Sequence, residues 1–248
     1  MTAAARDQIY GYRARIGYTS PPLTTEVFPY EFYKIVPDGV TLVITTLAIV
    51  ERSKSEVDQS YEISMKAARE MAAAGVDIAV LGGVPINLSR GGYDNAQQMM
   101  RNLEAELGIK ISTSAAAQTN AAKALGCKKV VVAQPYAATE TTRISGYAKH
   151  FDCEVLGGTA WGSAFNQIGR IPKHAALDMG RQLMREHPEA DTILFPSPHW
   201  PTIDAIEPLE REFGVNVMTA LQAIVWDALR RVGVDDRIEG YGRLFSEF

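Results

Sequence analysis

Cysteine is scarce in this sequence, and two residues in 248 give no disulfide framework. Runs of basic residues are absent too, and the formal net charge is −4, so nucleic acid is not expected as a partner. The longest apolar stretches, such as residues 40–50, fall well short of the roughly 20 residues of a membrane-spanning helix. The N-terminal residues lack the apolar core of a secretory signal. We therefore expect a cytoplasmic protein that does not bind membranes.

The sequence also lacks the motifs of common cofactor sites. It contains no Walker pattern, no G-x-G-x-x-G and no His, Cys and Asp cluster with metal-ligand spacing. We therefore predict neither a nucleotide cofactor nor a metal. What is present is typical of a soluble globular protein, with 46% hydrophobic and 22% charged residues. The length fits one large α/β domain or two smaller lobes.

Strand-like apolar runs alternate with helical patterns along almost the whole chain. This alternation is typical of βαβ units and mostly parallel sheets, so we predict an α/β fold. The predicted strands cover residues 13–19, 40–47, 76–82, 110–112, 129–134, 153–156, 192–196 and 216–218. The predicted helices, several of which end at a glycine, cover residues 54–74, 94–107, 114–125, 139–150, 173–187, 202–213 and 221–232.

One segment of the chain occurs twice. Residues 103–113 read Leu-Glu-Ala-Glu-Leu-Gly-Ile-Lys-Ile-Ser-Thr, and residues 209–219 read Leu-Glu-Arg-Glu-Phe-Gly-Val-Asn-Val-Met-Thr, with five of the eleven positions identical. Each copy follows an Asp-led apolar run, which ends at Gly83 in one case and at Ser197 in the other.

The duplication predicts two pseudo-symmetric lobes, each with a mostly parallel sheet flanked by helices, and an active site in the cleft between them. The first lobe would contain residues 1–113 and 219–248, and the second would contain residues 114–218.

Ligands of open parallel sheets bind beyond the carboxyl ends of the strands. In this sequence those positions are rich in Gly, Pro, Ser and Thr, and several of them begin helices. Backbone N–H groups at helix starts, together with hydroxyl groups, favour an anion. We therefore predict a pocket for a small carboxylate. The segments that would contribute to it are residues 17–26, 82–87, 113–114, 134–136 and 196–202.

Five short motifs occur in a recognisable order along the chain. They are Pro-Pro-Leu-Thr-Thr-Glu at 21–26, Ser-Arg-Gly at 89–91, Tyr136, Trp-Pro-Thr-Ile-Asp-Ala-Ile-Glu at 200–207 and Gly-Tyr-Gly-Arg-Leu-Phe at 240–245. Together they resemble the aspartate/glutamate racemase superfamily, and within it the branch of maleate cis–trans isomerases and arylmalonate decarboxylases.

The resemblance implies that the chemistry takes place at the ends of the two equivalent strands, where similar enzymes have one or two cysteines. Racemases and isomerases use both thiols, whereas decarboxylases keep only the second, which protonates an enediolate. Here Gly83 and Ser197 occupy these positions, so both thiols are replaced. Two-base racemisation and thiolate addition are therefore not expected. Cys127 and Cys153 belong to predicted strands, and we expect both to be structural.

Ser197 and His199 are the predicted catalytic residues. A hydroxyl is a far weaker acid than a thiol, but Ser197 can relay a proton, or act as a nucleophile if His199 accepts its proton. The strand-end positions and the resemblance together predict the substrate-binding residues Thr25, Glu26, Gly83, Val84, Pro85, Tyr136 and Pro198. Two other acidic residues in predicted helices, Asp204 and Asp227, are expected at the surface.

The sequence thus predicts a cofactor-independent lyase or isomerase, which acts on a small carboxylic acid or carbonyl derivative through an enolate-like species. Two alternatives stay open: a hydrolase of a small amide or lactam that depends on Ser197, and an inactive carboxylate-binding protein. The expected partner is a small-molecule carboxylate or amide. Dimers are common in similar proteins, so the sequence leaves open whether the protein forms a homo-oligomer.

Overall fold

The computed structural model describes residues 9–137 and 151–248, so the predicted helix at 139–150 lies outside the described residues. The described chain divides into two compact units, each built around one sheet. The first unit contains the described residues up to Thr25, together with Val36–Ala117 and Asp227–Asp236. The second unit contains Glu26–Ile35, Gln118–Trp226 and Arg237–Phe248.

Helices and strands alternate along both units. In chain order the elements are β1 (Ala14–Pro22), α1 (Val27–Ile35), β2 (Val40–Ile49), α2 (Lys54–Ala73), β3 (Ile78–Leu81), α3 (Val84–Leu88), α4 (Gly92–Leu107), β4 (Lys110–Thr113), α5 (Ser114–Leu125), β5 (Lys129–Tyr136), β6 (Glu154–Ser163), a 3₁₀ helix (Phe165–Arg170), α6 (His174–Glu186), β7 (Thr192–Phe195), a second 3₁₀ helix (Ile203–Ala205), α7 (Ile206–Phe213), β8 (Asn216–Thr219), α8 (Ala220–Arg231) and α9 (Arg243–Glu247).

Each unit has one four-stranded parallel sheet, and the two sheets have the same strand order. The order is β2-β1-β3-β4 in the first unit and β6-β5-β7-β8 in the second, and every described strand pair is parallel. Each predicted strand corresponds to one of these strands. The predicted α/β fold with two parallel sheets flanked by helices is therefore confirmed.

Each sheet packs against a hydrophobic core of its own. Strands β3 and β7 are buried along their whole length, as expected for central strands of parallel sheets. A fully buried leucine or isoleucine side chain contributes roughly 1.5–3 kcal/mol to stability. The core of the first unit includes Met71, Val76, Leu81, Met100, Leu103 and Ile111. The core of the second unit includes Leu125, Val130, Val132, Leu194, Met218 and Leu244.

The repeated segment forms the same helix–strand unit in both sheets. Gly108 and Gly214 end α4 and α7 in the left-handed conformation, with φ of 68° and 67°, where a glycine avoids the strain of a Cβ atom. Thr113 and Thr219 end the following strands. The hydroxyl oxygen of each accepts the backbone N–H three residues later at 3.0 Å, which caps the start of α5 or α8.

The glutamates of the repeat also have matching partners in both units. Glu104 accepts the backbone N–H of Ile111 at 3.0 Å, and Glu210 accepts that of Val217 at 3.3 Å. Each bond ties a helix side chain to the strand that follows. The repeat is therefore a structural duplication, because its identical residues satisfy equivalent backbone groups.

The second pair of repeated glutamates lies on the surface. Glu106 pairs with Arg69 at 2.7 Å, and Glu212 pairs with Arg181 at 2.8 Å. In both units this ion pair connects the helix of the repeat (α4 or α7) to the main helix of the preceding strand-to-strand connection (α2 or α6). Exposed pairs of this kind contribute little to stability, about 0–1 kcal/mol.

Aspartates at equivalent positions fix the amino ends of the central strands. The carboxylate of Asp77 accepts the backbone N–H of Arg15 at 2.8 Å, and the carboxylate of Asp191 accepts that of Lys129 at 2.9 Å. The backbone carbonyl of each aspartate also accepts the N–H of the first residue of β4 or β8. A single residue thus connects three neighbouring strands in each sheet.

The units and the predicted lobes divide the chain differently at residues 26–35, 114–117, 219–226 and 237–248. Helix α1 and the C-terminal residues Arg237–Phe248 belong to the second unit, although both were predicted in the first lobe. The tail packs there because Leu244 is buried in the second core and the side-chain amide of Gln222 donates to the carbonyl oxygen of Tyr241 at 2.7 Å.

Helix α1 packs on the second unit through a face that contains a buried acid. Its buried residues are Val27, Phe28, Glu31, Phe32 and Ile35, spaced as one face of a helix. Glu31 is only 4% exposed. Burial raises its pKa to about 7, against the opposing effect of the backbone N–H groups that it accepts.

One expectation about surface acids is wrong. Asp204 is exposed as expected, but Asp227 is buried at 4% exposure. The Ser112 hydroxyl donates to the Asp227 carboxylate at 2.5 Å, and the guanidinium of Arg231 lies 3.2 Å from it. These partners offset the cost of removing the charge from water.

The two threonine caps give a paired prediction. Substituting either Thr113 or Thr219 with alanine removes the acceptor for one helix N–H, and we expect each change to lower the free energy of unfolding by about 1 kcal/mol. The serine substitutions keep the hydroxyl and should cost less. Urea unfolding followed by circular dichroism measures both pairs, and equal losses for alanine and serine would contradict the capping role.

The raised pKa of Glu31 predicts a pH-dependent stability. Because the folded protein holds this proton more tightly than the unfolded chain, the contribution of Glu31 is largest below pH 4.5 and is lost as the pH rises through 7. Between these values, the free energy of unfolding of the wild type should fall by up to about 3 kcal/mol relative to the Glu31→Gln variant. Urea titrations of both proteins across this range measure the difference, and parallel pH curves would refute the assignment.

Candidate functional site

Both sheets have a topological switch point, where chain connections leave adjacent strands in opposite directions. It lies between β1 and β3 in the first unit and between β5 and β7 in the second. Crevices for ligands form beyond the carboxyl ends of the strands at such points. The predicted segments that follow these four strands are therefore the places where functional groups should be sought.

In the second unit, the switch point brings two predicted site residues together. Tyr136 ends β5, and Ser197 follows β7 by two residues. Their hydroxyl groups form a hydrogen bond of 2.9 Å, in which either oxygen can donate. Ser197 is 1% exposed, whereas Tyr136 is half-buried. A phenol thus lies in direct contact with an aliphatic alcohol. A phenol has a usual pKa near 10, and an aliphatic alcohol is a much weaker acid.

An aromatic ring on a neighbouring element positions Tyr136. Phe165, the first residue of the 3₁₀ helix after β6, stacks on the Tyr136 ring with 5.9 Å between centroids and an interplanar angle of 29°. Stacked rings of this kind favour one orientation of the phenol. The sequence reasoning missed Phe165, because only the tertiary fold brings the end of β6 beside the end of β5.

His199 lies in the same loop but in a buried apolar environment. Its ring is 5% exposed and packs on Phe28 of α1, with 6.2 Å between ring centroids. Burial lowers the pKa of His199 to about 3, so its imidazole is neutral at neutral pH. Such a group is a weak base for removing the proton of a serine hydroxyl. Pro198 stands between the two residues and is half-buried.

In the first unit, the end of β3 requires glycine. The N–H of Gly82 donates to the Thr19 hydroxyl at 2.8 Å, and a Cβ atom on Gly82 would lie 1.9 Å from the Thr19 carbonyl oxygen. Gly83 has φ of 82°, and a Cβ atom there would lie 2.8 Å from both Pro21 and Ile86. A larger residue at position 83 would therefore be strained.

The other predicted residues of the first unit lie beside these glycines or farther along the chain. Val84 is buried and Pro85 half-buried at the start of α3, and Thr25 is half-buried after the end of β1. Two further polar groups lie in the predicted segments 17–26 and 82–87, although they were not among the predicted site residues. The Ser20 hydroxyl and the Asn87 side-chain oxygen are buried, and within the described residues they have no hydrogen-bond partner.

Glu26 lines a pocket of the second unit. This cavity of about 310 Å³ also borders Tyr30, Glu31, Lys34 and Lys173. Ser197 and Tyr136 are not among its described lining residues. Glu26 itself is exposed and packs against Gly169, where a Cβ atom would lie 2.5 Å from its carboxylate oxygen. The structure therefore does not bring Glu26 to the Tyr136–Ser197 pair.

Glu31 was absent from the sequence prediction, although a signal for it exists. It lies three residues after Phe28 and four before Ile35, so it shares their apolar face. A charged residue on such a face indicates a specific buried partner. In the structure its carboxylate accepts the backbone N–H groups of Thr202 at 3.0 Å and Ile203 at 3.5 Å.

Cys127 is buried and Cys153 is half-buried in the second unit, and both thiols are poorly reactive. Burial raises the pKa of Cys127 to about 11 and that of Cys153 to about 12. The Cys153 thiol donates to the carbonyl oxygens of Cys127 and Phe151, each at 3.3 Å. Because a thiol reacts as the thiolate, neither group is an effective nucleophile at neutral pH.

Two other kinds of site are absent from the described residues. Residues 9–137 and 151–248 contain no group of three or more His, Cys, Asp or Glu side chains arranged to hold a metal ion. Among the same residues, no helix combines the length and the apolar character needed to span a bilayer.

Comparison with known proteins gives a consistent result. The family model described as arylmalonate decarboxylase matches residues 16–245. The arylmalonate decarboxylase of Bordetella bronchiseptica is 27% identical over 234 residues, which cover 94% of this chain and 96% of that protein. The maleate isomerase of Alcaligenes faecalis is 26% identical over 159 residues, or 62% of each chain.

Solved structures show the same relationship. A Gly-to-Cys, Cys-to-Ser double variant of arylmalonate decarboxylase, in a liganded form, has a TM-score of 0.85 and 25% identity, and covers 95% of this chain and 100% of its own. The maleate isomerase of Pseudomonas putida S16 shares the fold, with a TM-score of 0.82, 22% identity and coverage of 94% and 98%. The resemblance predicted from the motifs is confirmed, and the chain belongs to the arylmalonate decarboxylase family.

Proposed function

We propose that this protein is a cofactor-independent decarboxylase of a small substituted malonate, in which Ser197 delivers the proton that completes the reaction. Its relatives are named as a decarboxylase and isomerases, which supports chemistry on small carboxylic acids. The observation that carries the proposal is the 2.9 Å hydrogen bond between Tyr136 and Ser197 at the switch point of the second sheet.

The proposed reaction has two steps. First, the bond between the central carbon and one carboxylate breaks, carbon dioxide leaves, and the electron pair of that bond forms the enediolate of the remaining carboxylate. Second, the Ser197 hydroxyl donates its proton to the central carbon while the Tyr136 phenol donates its own proton to the Ser197 oxygen. A new C–H bond forms, and the resulting phenoxide regains a proton from water.

The pairing of the two hydroxyls compensates for the missing thiol. An isolated serine is a weak acid, so it transfers a proton slowly unless another group replaces that proton at once. A phenol has a usual pKa near 10, and the enediolate carbon is more basic than a phenoxide, so the coupled transfer runs downhill. Phe165, stacked on Tyr136, holds the phenol in the orientation that this relay needs.

The other predicted residues keep defined roles in the proposal. Thr25, Gly83, Val84, Pro85 and Pro198 stay predicted substrate-binding residues, whose loops would offer N–H and hydroxyl donors to a carboxylate. His199 is neutral and buried, which argues against its acting as the base in a serine-dependent hydrolysis. Isomerisation through thiolate addition lacks its nucleophile, because Gly83 has no side chain.

Removing either hydroxyl should slow the reaction. In deuterium oxide, the wild type should convert aryl- or alkyl-substituted malonates to monoacids with deuterium on the central carbon. We expect Ser197→Ala to lower kcat by about 100-fold and Tyr136→Phe by about 10-fold or more, because each interrupts the proton relay. Proton NMR of the products measures both the rate and the deuterium content.

Exposed residues of the same types provide matched controls. Ser55→Ala and Tyr33→Phe alter exposed hydroxyls, and both should retain wild-type rates. Full activity of Ser197→Ala would refute the role of Ser197. Turnover of small amides or lactams without turnover of malonates would indicate the hydrolase, and calorimetric binding without any turnover would indicate the inactive carboxylate-binding protein.

Replacing Ser197 with cysteine should preserve or increase decarboxylation. A thiol has a usual pKa near 8.5 and is a stronger acid than the hydroxyl, so we expect kcat on malonates to rise by about 10-fold or more at neutral pH. The rate should then fall as the pH rises past the pKa of the new thiol. Initial rates of carbon dioxide release across this range measure the effect, and a variant without malonate turnover would count against a proton donor at position 197.

A further inference from the structure

The loop that carries Ser197 has few backbone groups with which to anchor itself. Between the end of β7 and Thr202, positions 196, 198 and 201 are prolines, which have no N–H to donate. The loop must therefore be held in place largely by side chains. One such anchor is Trp200, which is fully buried and meets the ring of Phe195 edge-on at 5.8 Å between centroids.

Helix α1 anchors the same loop at two further points. Phe28 packs against the His199 ring, with 6.2 Å between centroids. One turn farther along the helix, Glu31 accepts the N–H of Thr202 at 3.0 Å and the N–H of Ile203 at 3.5 Å. These N–H groups begin the 3₁₀ helix after the loop, so Glu31 acts as a helix cap supplied from 171 residues away in the sequence.

The burial of Glu31 costs free energy, which the hydrogen bonds of its carboxyl group have to offset. The side chain is 4% exposed, and its second carboxylate oxygen has no hydrogen-bond partner among the described residues. An apolar residue on this face of α1 would avoid the cost of removing a carboxyl group from water. The two N–H groups whose hydrogen bonds it accepts are the compensation visible in the structure, and they belong to the last residue of the Ser197 loop and the first residue after it.

We infer that Glu31 is a positioning residue, which fixes the 196–202 loop from helix α1 and thereby sets the Ser197 hydroxyl against the Tyr136 hydroxyl. The inference rests on the proposed function only in that Ser197 is the group whose position matters for catalysis. The contact between Ser197 and Tyr136 then depends on a carboxyl group that touches neither of them.

A thiol placed at position 197 reports on this position without any substrate. In the Ser197→Cys background, the rate of alkylation by iodoacetamide and its pH midpoint depend on the surroundings of the new thiol, while Cys127 and Cys153 stay silent because their pKa values are raised to about 11 and about 12. Mass spectrometry of the modified peptide gives the rate at each pH.

The comparison uses three substitutions of Glu31 in that background. Glu31→Leu removes the acceptor, Glu31→Asp keeps the carboxyl group but shortens the side chain, and Glu31→Gln keeps one acceptor oxygen at full length. We expect the Leu and Asp variants to change the alkylation rate by about 10-fold and to shift its pH midpoint. The Gln variant should remain within about twofold of the parent. Glu31→Asp keeps the test available if the Leu variant fails to fold.

Glu210 provides a matched control in the same unit. It also accepts backbone N–H groups, those of Val217 in the next strand and of Arg243 in the C-terminal segment, but it does so away from the 196–202 loop. Glu210→Leu should therefore lower the melting temperature without changing the alkylation rate. If the Glu31 variants likewise lose only thermal stability and leave the alkylation rate and its midpoint unchanged, the inference is wrong.

The same substitutions on the Ser197 protein separate this inference from the proposed function. If malonates are turned over, Glu31→Asp should lower kcat more than it raises KM, and Glu31→Gln should restore kcat. If no malonate is turned over but the thiol still responds to Glu31, the proposed function fails while the positioning role stands. If turnover depends on Ser197 but neither kcat nor the thiol responds to Glu31, the positioning role fails alone.

Discussion

The structure depends on parallel strands whose relative register is fixed at their amino ends. Asp77 and Asp191 accept N–H groups from the first strand of each sheet and pair through their own backbone with the strands on either side. Because residues in paired parallel strands advance together, register set at one end determines which residues meet at the other. In the second unit, this places Tyr136 at the end of β5 beside the residues that follow β7.

Three polar groups on the 196–202 loop or in contact with its end have very different chemistry because of their surroundings. Ser197 touches another hydroxyl, His199 touches an apolar ring and Glu31 touches backbone N–H groups. Burial keeps the imidazole neutral and is the main cause of the raised pKa of the carboxyl group, whereas the serine and the phenol are coupled by a direct hydrogen bond. Sequence proximity therefore says little about which groups act together here.

Much of the fold followed from local patterns. Strands such as β3 and β7 are short apolar runs bounded by Asp and by Gly or Pro, and the glycines and threonines of the repeat act through neighbours only a few residues away. Those signals are present in the sequence itself. The likeness between the two copies also reflects equivalent backbone contacts, which is why it located equivalent strand ends.

What escaped prediction depends on contacts between distant residues. Asp227 is buried because Ser112 lies beside it, and Glu31 because Thr202 does, at separations of 115 and 171 residues. The sequence analysis predicted Glu26 and Tyr136 in one site because each lies where a strand ends. In the structure, Glu26 lines a pocket whose described lining residues do not include Tyr136. Strand ends can be located from a pattern, whereas the direction in which the chain leaves them depends on tertiary packing.

The discontinuity of both units has a consequence for biosynthesis. The first unit is completed by Asp227–Asp236 and the second by Arg237–Phe248, so each needs a part of the chain that is made after the described strands of both sheets. Neither unit can reach its final packing while the ribosome still holds that part, and both depend on contacts of long sequence separation, which form slowly. The strands of both sheets are therefore made before the segments that complete the two units, and the nascent chain exposes the surfaces that residues 227–248 cover until those residues leave the ribosome.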